Sequence, residues 1–169
     1  MEHSYITESL SENLKTFRDL LSGASKDEYL YKPLPEKWCL LEIVCHLYDE
    51  ERYDFRARTK HILENNQSAL PPIDPVGWVK SRNYIEQEFE ETLDKFLDER
   101  KKSVEWLKSL REPDWRNEYK HELFGMMSAG FFLTNWLAHD YLHFRQITSL
   151  KFNFLKHISG IDPLYAGEW

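Results

Sequence analysis

The sequence contains one segment in which an apolar helical stripe carries two histidines, Asn135-Trp136-Leu137-Ala138-His139-Asp140-Tyr141-Leu142-His143-Phe144-Arg145-Gln146. Side chains four residues apart lie above one another on an α-helix, so His139 and His143 project from the same face. On a helical wheel the pair falls within an arc of about 80° that also holds Phe132, Trp136, Ile147 and Leu150. The pair is therefore expected to face inward, where a neutral imidazole needs a hydrogen-bond partner or a metal ion.

Two histidines at this spacing also occur as ordinary core or surface residues, so the pair does not define a site by itself. A third ligand from another helix would favour metal binding. His46 lies at the border of the apolar stripe on a second predicted helix, and Glu50 lies one turn later on about the same face. Glu50 is a candidate catalytic proton acceptor, and its alternative role is a solvated helix carboxylate.

The composition describes a helical globular protein. The 169 residues fit a single domain, 1–169, and 41% of them are apolar and 15% aromatic, with only six glycines. A net charge of −7 argues against nonspecific binding to nucleic acid or to anionic membranes, since both depend on clustered Lys and Arg. We therefore expect a small-molecule substrate, no nucleic acid and no membrane.

The chain shows no signs of export. Cys39 and Cys45, the only cysteines, have no metal-finger or redox spacing, so a disulfide framework is not expected. The first residues lack the continuous apolar core of a signal peptide, and the longest apolar run, 129–138, is far short of the ~20 residues that span a bilayer. The predicted location is the cytoplasm.

Apolar residues at helical spacing predict an all-α fold, a four-helix bundle. The predicted helices cover residues 5–22, residues 39–65, about 25 residues from Ile85 to Leu110, and residues 127–151. The fourth is apolar nearly all round, as expected of the most deeply packed element. Residues 66–79, with Pro71, Pro72 and Pro75, read as a long loop that crosses the end of the bundle, and residues 112–125 break the helical pattern.

The other polar candidates have less specific roles. Asp140 points about 100° away from His139 and is expected in a surface salt bridge, while Cys45 points about 100° away from His46 and is expected to pack. The remaining histidines fall near predicted helix ends or loops and are expected to face solvent, with His121 as the one spare-ligand candidate: His3, His61, His121 and His157.

Two segments together resemble the DinB-like superfamily, namely Pro35-Glu36-Lys37-Trp38-Cys39-Leu40-Leu41-Glu42-Ile43-Val44-Cys45-His46-Leu47-Tyr48-Asp49-Glu50 and Trp136-Leu137-Ala138-His139-Asp140-Tyr141-Leu142-His143-Phe144-Arg145-Gln146-Ile147. In that family a Trp introduces the second helix, one histidine follows within it, and His-x-x-x-His followed by Gln-Ile lies on the fourth. The resemblance implies an up-down-down-up bundle, a tendency to form homodimers, and a divalent metal held by His46, His139 and His143. Many relatives have Ser after the Trp where this chain has Cys39, so the start of the second helix needs another cap.

Three histidine ligands leave at least one position open on zinc, as in catalytic sites. The resemblance implies a metal-dependent thiol S-transferase, with a low-molecular-weight thiol as cosubstrate, or a hydrolase. Imidazole ligands suit zinc or nickel, and also manganese or iron. The alternative is a noncatalytic helical protein without metal, whose aromatic surface forms a dimer or partner contact through Trp78, Trp106, Trp115 and Trp169.

Overall fold

The computed structural model describes residues 2–64, 68–70, 72–122 and 124–167.

The first bundle helix ends just before a glycine. Helix α1 spans Glu2–Leu21, and Gly23 follows with φ of +76°, a conformation that glycine adopts without steric cost. Its buried face carries Ile6, Leu10, Phe17 and Leu21. A single short turn, α2 (Lys26–Tyr29), comes next.

The second bundle helix is continuous but changes its winding in the middle. It consists of α3 (Leu40–Glu50), a π-helical turn (Glu51–Phe55) and α4 (Arg56–Leu63). The sequence pattern predicted a uniform helix here, because a π turn leaves no apolar period of its own. Cys39 takes the position of the missing serine in a capping box, in which the Glu42 carboxylate accepts the Cys39 backbone N–H at 2.9 Å.

The segment 66–79, predicted as a loop, contains a helix, and this prediction was wrong. Helix α5 spans Pro75–Ser81, whereas residues 66, 67 and 71 lie outside the described ranges. Asp74 caps it by accepting the Gly77 N–H at 3.0 Å, and Pro75 occupies the first position, where its missing N–H costs nothing. Trp78 is only 9% exposed and anchors the helix on the core, so it does not belong to an aromatic surface.

The third bundle helix begins later than its predicted start at Ile85. A 3₁₀ turn, Tyr84–Glu86, precedes α6 (Phe89–Ser109), and Ile85 is 50% exposed. Asn83 adopts a left-handed φ of 48°, which prevents one continuous helix from running through this point.

The segment 112–125, predicted only as a break, leads into a small antiparallel hairpin that the all-α assignment did not include. Strand β1 (Glu118–His121) pairs with β2 (Gly125–Ser128), with Glu118 opposite Ser128. The Ser128 hydroxyl then accepts the Phe131 N–H at 3.0 Å and caps the fourth bundle helix.

That fourth helix, α7 (Ala129–Ser159), ends at Gly160 and is eight residues longer than predicted at its carboxyl end. The expectation that it is the most deeply packed element was wrong for one side of it, because large apolar side chains there are about half exposed: Phe131, Tyr141 and Leu142.

Contacts between the helices give the predicted up-down-down-up topology. Asn13 of α1 contacts Asp140 and Phe17 contacts Phe144, so α1 and α7 run parallel. In contrast, α3 and α7 run antiparallel, since His46 contacts His143 whereas the later Arg58 lies over the Phe132 ring. The Cys45 side chain forms a hydrogen bond with Thr92 and the later Arg56 donates to the Ser103 hydroxyl at 3.2 Å, so the second and third bundle helices are parallel neighbours. No described helix is long and apolar enough to cross a bilayer.

Candidate metal centre

The structure brings the three histidines together between the second and fourth bundle helices. The Nε2 atom of His139 lies 3.2 Å from Nε2 of His46 and 3.1 Å from Nε2 of His143. One ligand nitrogen from each ring lies within 4.8 Å of the others. Residues separated by more than ninety positions in sequence therefore present their nitrogens to a common point.

Aromatic side chains hold two of these rings in place. The Trp38 ring, just before α3, lies 4.9 Å from the His46 ring between centroids, and the Phe55 ring of the π turn lies 5.0 Å from the His139 ring. His46 and His143 are each only 6% exposed. Two of the three rings are thus shielded from solvent, and His139 is half-buried.

Burial keeps all three imidazoles neutral at physiological pH. Loss of solvation lowers the pKa of His46 to about 3, and the neighbouring His143 adds to this. Burial likewise lowers the pKa of His143 to about 4, against the opposing effects of Asp140 and Gln146, and lowers the pKa of His139 well below its usual value. Neutral rings keep the lone pairs that a metal ion requires.

The donor set fits a divalent metal better than it fits internal hydrogen bonding. A neutral imidazole nitrogen carries either one N–H or one lone pair, so His139 Nε2 cannot form a full, linear hydrogen bond with both of the Nε2 atoms that it contacts. The Nδ1 atoms of His46 and His143 are buried and have no partner among the described residues. A cation shared by the three Nε2 atoms removes the conflict between lone pairs. Within the described ranges this is the one group of three or more potential ligand side chains.

A second buried polar cluster lies directly behind the histidines and is centred on Arg100 of α6. Its guanidinium donates to both Asp140 oxygens, at 2.6 and 2.7 Å, and to Glu51 Oε2 at 2.9 Å. Asn13 donates to Asp140 and the Trp136 indole donates to Glu51, both at 2.9 Å. The prediction of a surface salt bridge for Asp140 was wrong, because the residue is fully buried. Its side chain does point away from the ligand pair, but toward the core and not toward solvent.

Glu50 is buried, which contradicts its alternative role as a solvated helix carboxylate. It is 4% exposed, and its Oε1 atom has no hydrogen-bond partner within the described part of the chain. Burial, reinforced by the neighbouring Asp54 carboxyl, raises the pKa of Glu50 to about 8, with Arg58 acting in the opposite direction. The pKa of Asp54 is raised by burial as well.

The remaining sequence candidates lie outside the cluster. Cys45 packs in the core with its thiol 3.7 Å from the Tyr84 carbonyl oxygen, as predicted, and both cysteines are free. His121 is on β1, away from the three-histidine group, so it is no spare ligand. His157 is exposed as expected, but His61 is 8% exposed and its Nε2 atom lies 2.9 Å from the Ser68 carbonyl oxygen, so that expectation was wrong.

Sequence reasoning missed the residues that support the histidines. Arg100 was not singled out because charged residues on a helix are usually exposed. Trp38 and Gln146 were noticed only as parts of a family pattern, although each lies beside a histidine. The one available signal was the lone arginine on the apolar side of α6, between Phe96 and Val104.

The sequence profile of the DinB superfamily matches residues 9–147. This chain belongs to the DinB superfamily. A solved structure of similar fold is YfiT from Bacillus subtilis, described as a probable metal-dependent hydrolase with an unusual four-helix bundle topology. The two share 16% sequence identity with a TM-score of 0.77, over 95% of this chain and 89% of YfiT, which establishes a common fold. No curated protein shows significant sequence similarity to this chain.

Proposed function

We propose that this DinB-superfamily protein is a divalent-metal-dependent enzyme that acts on a small molecule, with His46, His139 and His143 as the metal ligands. The observation that carries the proposal is the approach of three neutral Nε2 atoms to one point. A bound cation supplies a Lewis acid that activates water or a thiol. Three protein ligands leave room for that group, which favours catalysis over a purely structural role.

A groove of about 560 Å³ beside the histidines supplies a place for the substrate. Trp38 and Gln146 line it, and each of them also lies beside a ligand histidine. Leu142 and Leu150 contribute apolar walls, whereas the groove also contains the cations Lys37 and Arg145. This lining favours a small substrate with an apolar body and a negatively charged group.

Glu50 is our candidate for proton transfer. A general acid or base is most effective when its pKa lies near the working pH, and burial moves the Glu50 carboxyl into that range. It follows His46 by one helical turn on about the same face of the second bundle helix, which supports the assignment. Its proposed role is to accept or return the proton of the reacting group.

Within this class we propose thiol S-transfer with a low-molecular-weight thiol, or hydrolysis, with zinc or nickel as the metal and the cytoplasm as the location. The resemblance in sequence motifs supports the transferase and hydrolase chemistries, and the imidazole ligands suit either metal. A panel of thiols and electrophiles, assayed with and without added metal, separates the two reactions.

Metal content tests the ligand assignment directly. Untagged wild-type protein is expected to hold near-stoichiometric divalent metal by elemental analysis, and His46→Ala is expected to lose it. The matched control is His157→Ala, which removes an exposed histidine of α7 and should leave the metal content unchanged. Equal and negligible metal in all three proteins would overturn the proposal.

Substitution of Glu50 tests its catalytic role once a substrate is found. Glu50→Gln keeps the shape of the side chain and should lower kcat by about 10²- to 10⁴-fold while metal content is retained. Glu64→Gln, an exposed carboxylate on the same bundle helix, should be silent. An unchanged kcat for Glu50→Gln would remove Glu50 from the mechanism without affecting the metal assignment.

We also propose that the protein forms a homodimer through the carboxyl-terminal part of α7. Leu155 and Ile158 are 54% and 63% exposed and lie three residues apart on one face of that helix, an arrangement that suits an isologous contact. Light scattering should give a dimer for the wild type and a monomer for Leu155→Glu/Ile158→Glu. A monomeric wild type would contradict this.

A further inference from the structure

A second cavity, of about 180 Å³, lies on the side of α3 that faces α5 and α6. Cys45 lines it, and Cys45 points about 100° away from His46, so the cavity is separate from the histidine cluster. Its charged lining consists of three cations and one carboxylate: Arg52, Arg82, Lys95 and Asp49.

The charge of this cavity is opposite to that of the whole chain. The protein has a formal net charge of −7, whereas the lining of the cavity has an excess of two positive charges. Burial raises the pKa of Cys45 to about 12 and raises the pKa of Tyr84 as well, so neither wall residue supplies a negative charge. Lys95 also pairs with Glu91, but that pair is exposed and therefore weak.

Aromatic rings hold both guanidinium groups in fixed planes. The Arg52 guanidinium lies 3.7 Å from the Tyr48 ring centroid and 4.5 Å from that of Tyr53. The Arg82 guanidinium lies 4.7 Å from Tyr53 and 4.3 Å from Trp78. Rings and cations thus alternate from Tyr48 to Trp78. Fixed arginines lose little conformational entropy when they bind a ligand.

Asp49 uses only part of the donor capacity of these arginines. Its Oδ1 atom accepts from Arg52 Nη2 at 2.9 Å and forms an ion pair with Arg82 Nη1 at 2.7 Å, and its Oδ2 atom accepts from the Tyr84 hydroxyl at 2.6 Å. Within the described ranges, Arg52 Nη1 and the Nε and Nη2 atoms of Arg82 have no partner. Donors remain for an oxyanion that enters the cavity.

We propose that this cavity binds a small oxyanion, specifically a phosphate group, through Arg52, Arg82 and Lys95. A dianion matches the excess of two positive charges, and guanidinium groups bind phosphate oxygens through paired N–H donors. Asp49 holds the two arginines together and neutralises one of the three positive charges. A carboxylate ligand carries a single charge, so it would neutralise only one of the remaining two and should bind more weakly than phosphate. The site goes beyond the proposed enzyme function and uses none of its residues.

Titration calorimetry with inorganic phosphate, in chloride buffer at constant ionic strength, tests this proposal on the full chain. A His46→Ala background excludes phosphate held by a metal at the histidines, and binding should survive there. Lys95→Gln should weaken binding by about two- to fivefold, and Arg82→Gln by about tenfold or more. Acetate at the same ionic strength should bind more weakly than phosphate.

Lys102→Gln is the matched control, because Lys102 is an exposed lysine of the same helix in a similar pair with a glutamate. It should leave phosphate affinity unchanged. If Arg82→Gln fails to fold, the Lys95 and Lys102 variants decide the question. Absence of phosphate binding in the His46→Ala protein, or an equal loss in both lysine variants, would overturn the oxyanion site while leaving the metal assignment intact.

Discussion

Two buried polar clusters lie back to back on the same helices, and they differ in how far they satisfy themselves. The Arg100 cluster pairs its cation with two carboxylates, and each of its hydrogen bonds joins a donor to an acceptor. Glu51 Oε1 is its one buried oxygen without a partner in the described part of the chain. The histidine cluster instead brings three Nε2 atoms together and leaves two buried Nδ1 atoms without partners.

The difference separates a structural role from a ligand-binding role. Buried charges are tolerated when they are paired, and removal of one partner is costly. Burial would lower the pKa of Arg100, but Asp140 and Glu51 outweigh it and raise that pKa, so the ion pair persists. Neutral histidines that lack complementary partners contribute little to folding until a ligand binds. The Arg100 cluster therefore fixes the relative orientation of the helices, and that orientation brings the three histidines together.

Removal of the Arg100 charge should have the largest effect. Arg100→Met leaves the Asp140 and Glu51 carboxylates buried without their cation and should lower the free energy of unfolding by about 3–5 kcal/mol. Urea denaturation measures the change. Arg116→Met, which removes an exposed arginine paired with Asp114, should change it by less than about 1 kcal/mol. Equal effects for the two variants would break the comparison.

Acid should destabilise the metal-free protein through the histidines. The pKa of His143 is about 4 when folded and about 6.5 when unfolded, so below pH 6.5 the unfolded chain binds the extra proton. The stabilisation that depends on a neutral His143 is fully present above pH 6.5. It falls by about 1.4 kcal/mol per pH unit as the pH is lowered from 6.5 toward 4. When the pH is lowered from 6.5 to 5, the free energy of unfolding of His143→Gln should therefore fall by about 2 kcal/mol less than that of the wild type.

Urea denaturation at several pH values, with metal removed, gives this difference. His157→Gln is the control, since its exposed ring should leave the pH profile of the wild type unchanged. Parallel profiles for wild type and His143→Gln would show that the histidine cluster is not desolvated in solution.

Loss of a ligand histidine should cost little in the absence of metal. His139→Leu removes the Nε2 atom that contacts both other rings, and an apolar side chain suits the pocket, so we expect a stability within about 1 kcal/mol of the metal-free wild type. Zinc at a hundred times its Kd should stabilise the wild type by about 2.7 kcal/mol and leave the variant unchanged. A large loss in the metal-free variant would give the histidines a structural role like that of Arg100.

The smallest effect should come from the cap of α3, the helix that leads into both clusters. Cys39→Ser introduces a better cap acceptor and should raise stability by about 0.5 kcal/mol without changing metal content. Cys45→Ser, which replaces a buried thiol that packs beside the Tyr84 carbonyl oxygen by a smaller and more polar hydroxyl, should lower stability instead. A change of metal content in Cys39→Ser would show that the cap also sets the position of His46.

Periodicity predicted four bundle helices and placed His139 and His143 on the buried stripe, because those features depend on local spacing alone. It failed at the π turn of Glu51–Phe55 and at α5, where tertiary contacts and capping outweigh the apolar period. It also failed for Asp140 and Glu50, since a helical wheel gives the direction of a side chain but not the element that covers it.

The sequence by itself determined the helical fold class, the apolar faces and the pairing of His139 with His143 on one face, since each depends on residue type and short-range spacing. His46 joined that pair only through the resemblance to the DinB-like superfamily. Only the tertiary structure decided that His46 meets the fourth helix, that Arg100 joins Asp140 to Glu51, and that Arg52 and Arg82 converge on Asp49. Those contacts depend on which helices are neighbours and on their relative rotation. Both are set by the packing of the whole core.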